Sequence, residues 1–311
     1  MEQKKAVVTG ATGMLALALI RKLLKEGYFI YAVIRPNSKR ASNIPCSENI
    51  KIVECDLKDI AELPSKIGEA CQLFFHFAWD ATYGDGRNNM MLQTDNIKAT
   101  VAAAEAAIAL GCTVFLGAGS QAEYGRCEKR LAPESPTNPE TGYGIAKLCA
   151  GKMTRVLCHK QGVRHIWCRI FSTYGPYDGE QTMVMSGILK MLSGERPIYT
   201  KAEQLWDYLY CDDAAEAFYL AALNGKDGSV YCIASGKNEY LKDYIYKIRD
   251  AIDPKMSIGI GELPYYENQV MYLAADTTSL QEDTGFIPKF TFEEGIKATV
   301  EWVKAQKGCH N

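Results

Sequence analysis

Thr9-Gly10-Ala11-Thr12-Gly13-Met14-Leu15-Ala16 joins a short β-rich run, Lys5-Ala6-Val7-Val8-Thr9, to an apolar helical stretch from Leu15 to Glu26 that Gly27 stops. Glycines at a strand-to-helix turn let the backbone approach a pyrophosphate. The helix N-terminus behind them offers unpaired N–H groups and a partial positive charge. Gly10, Thr12, Gly13 and Met14 are therefore candidate contacts to a dinucleotide.

Outward from this turn, β-rich runs at residues 29–34, 50–55, 73–78, 113–117 and 165–170 alternate with helical stretches. Such alternation predicts an α/β protein with a Rossmann-type, doubly wound parallel sheet covered on both faces. Past Ile170 the rhythm breaks at Gly175-Pro176, Arg196-Pro197 and Leu263-Pro264, as expected of a smaller C-terminal α/β region that binds substrate. The division expected is a dinucleotide-binding domain over residues 1–170, with a return segment at about 212–234, and a substrate-binding region over 171–211 and 235–311.

Composition narrows the function classes. The 311 residues carry 35 Lys plus Arg against 37 Asp plus Glu, and 47% are hydrophobic, which excludes a disordered chain. The net charge of −2 lacks the basic excess that binding to a nucleic-acid backbone usually needs, so no nucleic-acid partner is expected. No run reaches the roughly 18 apolar residues of a membrane span, and no cleavable signal pattern follows Met1, so a cytoplasmic protein without membrane contact is expected. Eleven cysteines without a CxxC pair, among them Cys55, Cys71, Cys112, Cys168 and Cys232 in apolar runs, read as reduced, buried thiols, and no metal site is expected. The helix expected over Asp95 to Leu110 is dense in alanine (Ala99, Ala102, Ala103, Ala104, Ala106, Ala107), which suits a homodimer interface or internal packing.

The residues that carry chemistry lie midway along the chain. Tyr143 and Lys147 are four apart, which puts both on one helix face. An ammonium there is expected to lower the tyrosine pKa and make the phenol a usable acid. Upstream, Ser120 ends a β-rich run at the sheet edge where doubly wound folds bind ligands. After the second strand, Ile34-Arg35-Pro36 and then Lys39 and Arg40 stand where a fold reading NAD carries an acid. Cations suit a 2′-phosphate, so NADP(H) is favoured, with NAD(H) as the alternative.

Taken together, the opening turn, Ser120-Gln121-Ala122-Glu123-Tyr124-Gly125 and Tyr143-x-x-x-Lys147 resemble the extended short-chain dehydrogenase/reductase family, with Ala16 replacing the third glycine of its fingerprint. Arg169-Ile170-Phe171-Ser172-Thr173-Tyr174-Gly175-Pro176, Asp212-Asp213 and Phe286-Ile287-Pro288 resemble its sugar-nucleotide members. The resemblance implies Ser120, Tyr143 and Lys147 as catalytic residues. It also implies Asp56, Leu57, Phe77, Ala78, Trp79 and Asn96 as further cofactor contacts. Thr82, Tyr83, Gln121, Tyr124, Tyr174, Thr182, Met183 and Trp206 are the candidate walls of a nucleotide-sugar site. His76, at the head of His76-Phe77-Ala78-Trp79, is expected to be structural.

Two departures bear on the reaction. The 4,6-dehydratases of the family carry Asp-Glu after the catalytic hydroxyl, where this chain has Gln121-Ala122, which disfavours elimination. Trp206 stands where the family's arginine often clamps the substrate diphosphate, so Arg196 or Lys201 would have to serve instead, or the handle is held differently. The resemblance is nearest to the CDP-abequose and paratose synthase branch. It implies NADPH-dependent reduction of the 4-keto group of a nucleotide-linked deoxysugar, the alternatives being a nucleotide-sugar epimerase and a non-catalytic NADP-binding redox sensor.

Overall fold

A computed structural model describes residues 3–267 and 269–308. In chain order β1 (Lys5–Thr9), α1 (Met14–Lys25), β2 (Phe29–Ile34), β3 (Ile50–Glu54), α2 (Leu63–Ile67), β4 (Leu73–His76), α3 (Met90–Ala109), β5 (Val114–Ser120), α4 (Gly142–Lys160) and β6 (Arg164–Ile170) alternate. There follow β7 (Ser172–Tyr174), α5 (Met183–Leu192), β8 (Leu205–Trp206), β9 (Tyr208–Tyr210), α6 (Cys211–Asn224) and β10 (Ser229–Ile233). β11 (Glu239–Tyr240), α7 (Leu241–Ile252), β12 (Tyr272–Leu273), α8 (Thr278–Thr284) and α9 (Phe292–Gly308) complete the order.

Seven strands form one parallel sheet in the order β10-β6-β5-β4-β1-β2-β3, the doubly wound α/β arrangement expected. The central strands are apolar on both faces because both are covered. Along β1, Ala6 and Val8 face one core with Leu17 and Ile20 of α1 and Phe218 of α6. Val7, between them, faces the other core with Phe74, Phe115 and the alanines of α3. The strand period of two thus feeds two layers at once.

The alanines of α3 serve the second core. Ala99, Ala103, Ala104, Ala106 and Ala107 are buried against Leu63, Ile67 and Phe74. They pack internally, and Ala102 is half-buried. The large apolar residues that α3 and α4 do expose are Met90, Met91, Ile145, Met153 and Val156.

Beyond β6 the chain builds a three-stranded sheet, β11-β8-β12, and a two-stranded one, β7-β9. The Asp213 carboxylate near the start of α6 accepts the backbone N–H groups of Lys289 and Phe290, both at 2.9 Å, which ties the Phe286-Ile287-Pro288 segment to that helix. Cys55, Cys71, Cys112, Cys168 and Cys232 are buried thiols. Among the described residues no helix is long and apolar enough to cross a membrane.

Candidate active site

β5 runs to Ser120 and carries the Ser120 hydroxyl to the C-terminal edge of the sheet. There Ser120 caps the following turn, its Oγ accepting Ala122 N–H at 3.2 Å while its own N–H donates to Glu123 Oε1 at 2.9 Å. Ser-x-x-Glu is a capping box, a signal that was available in the sequence. Glu123 is fully buried, its Oε1 also accepting from Trp167 Nε1 at 2.9 Å and its Oε2 from Arg169 Nε at 2.7 Å. A carboxylate this engaged supports the shape of the Ser120 turn.

α4 starts at Gly142, N-capped by Thr141, and brings Tyr143 and Lys147 onto its inner face. Both are buried, with Tyr143 edge-on to Trp79 at 6.0 Å between ring centroids. Burial pushes the Tyr143 phenol up to about 12, opposed by the Ser120 hydroxyl and the Arg87 guanidinium, and reinforced by the Glu123 and Tyr83 charges. Burial brings Lys147 down to about 7, with Glu123 opposing. The spacing therefore predicts the shared face correctly and the direction of acidification wrongly. Lys147 Nζ turns away to donate to the Ala118 carbonyl at 2.6 Å and lies 3.7 Å over the Trp79 ring, and desolvation dominates the phenol.

The opening turn has the form a dinucleotide requires. Gly10 has φ +65°, and a Cβ there would meet Ala78 N at 2.8 Å and Phe77 C at 3.0 Å, so only glycine leaves this close approach open. Gly13 is the N-cap of α1 with no side-chain cap, and the first helical turn has no acid, leaving that end open to an anion. Thr9 Oγ1 accepts Ala78 N–H at 3.2 Å and bonds His76 Nδ1 at 2.9 Å, which fixes the two strand ends against each other. Burial, with Lys147 nearby, takes His76 down to about 3, a neutral, structural imidazole. Arg35 is exposed and follows β2 directly. These residues fit a nicotinamide dinucleotide.

Other candidates have different work. Tyr124 is buried with its hydroxyl donating to the Ala132 carbonyl at 2.8 Å, and Tyr174 is buried with its hydroxyl donating to Phe292 O at 3.1 Å. Neither lines an open site, because each long side chain finds a distant backbone acceptor inside the core. The Asn96 amide is spent on the main chain of Asp80, accepting its N–H at 2.9 Å and donating to its carbonyl at 3.0 Å, so it braces the loop after Trp79. Asp56 caps the turn that begins at Leu57 by accepting Lys58 N–H at 3.2 Å. Thr182 caps α5 and donates to Asp178, with Met183 beside it packed on the core. Gln121 opens the turn after Ser120, and Tyr83 is exposed while Thr82 gives its carbonyl to Arg87. Trp206 donates to Ser172 Oγ at 2.6 Å, and Arg196 pairs with Glu262 through both Nη atoms, which leaves Lys201 as the exposed alternative cation.

The sequence reading missed Arg87, Gln93 and Trp167. Gln93 Oε1 accepts Trp79 Nε1–H at 3.0 Å and so fixes the indole beneath Lys147. Trp167 lies against Gly117, Gly119 and Gly151, three positions at which a Cβ would collide with its indole. Among the described residues no cluster of three or more His, Cys, Asp or Glu could hold a metal.

The sequence profile of the NAD dependent epimerase/dehydratase family matches residues 6–234. The chain is 29% identical over 178 residues to dTDP-glucose 4,6-dehydratase of Escherichia coli, an alignment covering 54% of this chain and 48% of the relative. The chain thus spans about half the length of the first curated relatives it matches. In fold it is similar to UDP-glucose 4-epimerase of Thermotoga maritima solved with UDP-glucose, with TM-score 0.88, 24% identity, and 97% of this chain and 99% of that one covered. It is similar to the same degree to UDP-N-acetylglucosamine 4-epimerase of Methanobrevibacter ruminantium, with TM-score 0.88, 24% identity, and 98% and 100% covered.

Proposed function

The chain belongs to the NAD dependent epimerase/dehydratase family, and we propose that within it the protein is a nucleotide-sugar 4-epimerase that uses Ser120, Tyr143 and Lys147. One observation carries this reading. Ser120 and Tyr143 face each other at the sheet edge, while the positions after Ser120 hold Gln121 and Ala122 and the nearest acid, Glu123, is locked to Arg169 and Trp167. Such a site can pass a proton to and from a sugar hydroxyl but has no free carboxylate there for elimination.

A bound dinucleotide would supply reversible hydride chemistry at the sugar carbon. Gly10, Thr12, Gly13 and Met14 would hold its pyrophosphate, Phe77 and Ala78 would border it, and Lys147 would meet the nicotinamide ribose. In its phenolate form Tyr143 takes the proton of the sugar C4 hydroxyl, becomes the phenol and returns that proton, and Ser120 Oγ orients the oxygen. The substrate-binding region is residues 171–211 and 235–311, and the exposed apolar faces of α3 and α4 pair two copies into a homodimer, which light scattering in solution would test. Incubating the protein with UDP- and dTDP-hexoses and separating the products tests the activity. C4 epimers without net consumption of dinucleotide support it, and an unsaturated or 6-deoxy-4-keto product overturns it.

A second reading, NADPH-dependent reduction of a nucleotide-linked 4-keto sugar, rests on Arg35. A cation directly after β2, with no acid for the ribose hydroxyls, favours a 2′-phosphate and hence a cofactor used for net reduction. Stoichiometric loss of NADPH on adding a 4-keto-6-deoxysugar nucleotide would favour it over epimerisation.

A further inference from the structure

The loop between Trp79 and α3 is built rather than slack. Gln93 Nε2 donates to the carbonyls of Gly86 at 3.0 Å and Ala81 at 3.4 Å, and Asn96 holds Asp80 through both main-chain groups. Asn88 Oδ1 accepts the Gly142 N–H at 3.0 Å and fastens the loop to the first turn of α4. A Cβ on Gly142 would meet the Arg87 carbonyl at 3.0 Å and Met90 Sδ at 2.9 Å, so glycine before Tyr143 lets the loop pack closely on the first turn of α4.

The product of this bracing is the placement of Arg87. Its guanidinium carbon lies 4.5 Å from the Tyr143 ring centroid, and its Nη1 donates to the Thr82 carbonyl at 3.2 Å. Among the described residues no carboxylate is within ion-pair distance of Arg87. Lys147 Nζ, by contrast, is 5.8 Å from the same ring and is committed to Ala118. We propose that Arg87 is a positioning residue that adds a second, fixed positive charge over the Tyr143 phenol, beside the Lys147 ammonium one turn along α4.

The groups that bear on the phenol are Ser120 from β5, Arg87 and Tyr83 from the loop, and Glu123 from the turn after Ser120. Of these Arg87 and Ser120 favour the phenolate, while Glu123 and Tyr83 oppose it. A guanidinium keeps its charge at any working pH, whereas burial leaves Lys147 near the point of losing its own. Arg87 thereby gives the site a fixed charge beside the proton carrier.

The inference rests on the reading of Tyr143 as that carrier, but its test does not need turnover. Protein labelled with 3-fluorotyrosine, whose phenol ionises at lower pH than tyrosine, is titrated by fluorine NMR, and the Tyr143 resonance is assigned by its loss in Tyr143→Phe. The titration midpoint is expected to rise in both Arg87→Met and Arg87→Gln. The other tyrosine resonances report whether each variant is folded. An unchanged midpoint in whichever of the two neutral variants folds overturns the proposal. A missing epimerase activity with the expected midpoints would instead count against the proposed reaction alone.

Discussion

The Glu123 carboxylate accepts the backbone N–H of Ser120 at 2.9 Å, and this one contact ties the candidate catalytic hydroxyl to a buried network that ends at Arg169. Ser120, Trp167 and Arg169 all converge on the same side chain, whose exposure is nil. The family-like Ser-x-x-x-Tyr-Gly segment is therefore held from behind the sheet as well as by its own turn.

Glu123→Ala leaves the Arg169 guanidinium buried with no counter-charge, and loss of one partner of a buried pair costs about 3–5 kcal/mol. Urea unfolding should show that loss, with a smaller one in Glu123→Gln, which still accepts hydrogen bonds. An unaltered midpoint in Glu123→Ala would mean the network contributes nothing to stability.

Lys147 carries a pH signature. Its pKa falls from 10.5 in the unfolded chain to about 7 in the fold, so between these values the unfolded state binds more protons and stability rises with pH. The slope is at most about 1.4 kcal/mol per pH unit for a single group. In dinucleotide-free protein the wild type should gain stability relative to Lys147→Met between about pH 7 and 10. Parallel curves for the two proteins would show that the ammonium is not desolvated. Tyr143, common to both, does not disturb the comparison.

Gly10→Ala should abolish dinucleotide binding, since the added Cβ meets Ala78 N and the φ of +65° disfavours any side chain. Equilibrium dialysis with NAD and NADP checks this. Wild-type affinity in the alanine variant would remove the turn between β1 and α1 from the site.

Arg35→Asp replaces the cation after β2 by the acid that reads ribose hydroxyls, and the ratio of NADP to NAD affinity should fall about tenfold or more, the equivalent of one charge-assisted hydrogen bond of roughly 1.4 kcal/mol or above. A constant ratio would show that Arg35 does not contact the cofactor, and the reductase reading would lose its support.

Patterns local in the chain were legible before any coordinates. β1 and β2 lie where their apolar runs place them, and the four-residue spacing of Tyr143 and Lys147 does put both on one face of α4. What the spacing cannot fix is where a flexible four-carbon stem ends, and Lys147 ends at a carbonyl on β5. Tyr124 and Tyr174 look like pocket walls in sequence because their acceptors, Ala132 and Phe292, are supplied by tertiary packing. Arg87 was invisible for the same reason. Its loop becomes a rigid arm only through Gln93, Asn96 and Asn88, whose amides could equally have faced water.

The most direct test follows a label at the carbon where the proposed chemistry occurs. A UDP- or dTDP-hexose deuterated at C4 is incubated with the protein and the sugar products are read by NMR. The account predicts the C4 epimer with deuterium retained at C4, and Tyr143→Phe slower by about 10²–10⁴ while still binding dinucleotide. Deuterium washed out to water, or a phenylalanine variant as fast as the wild type, would contradict it.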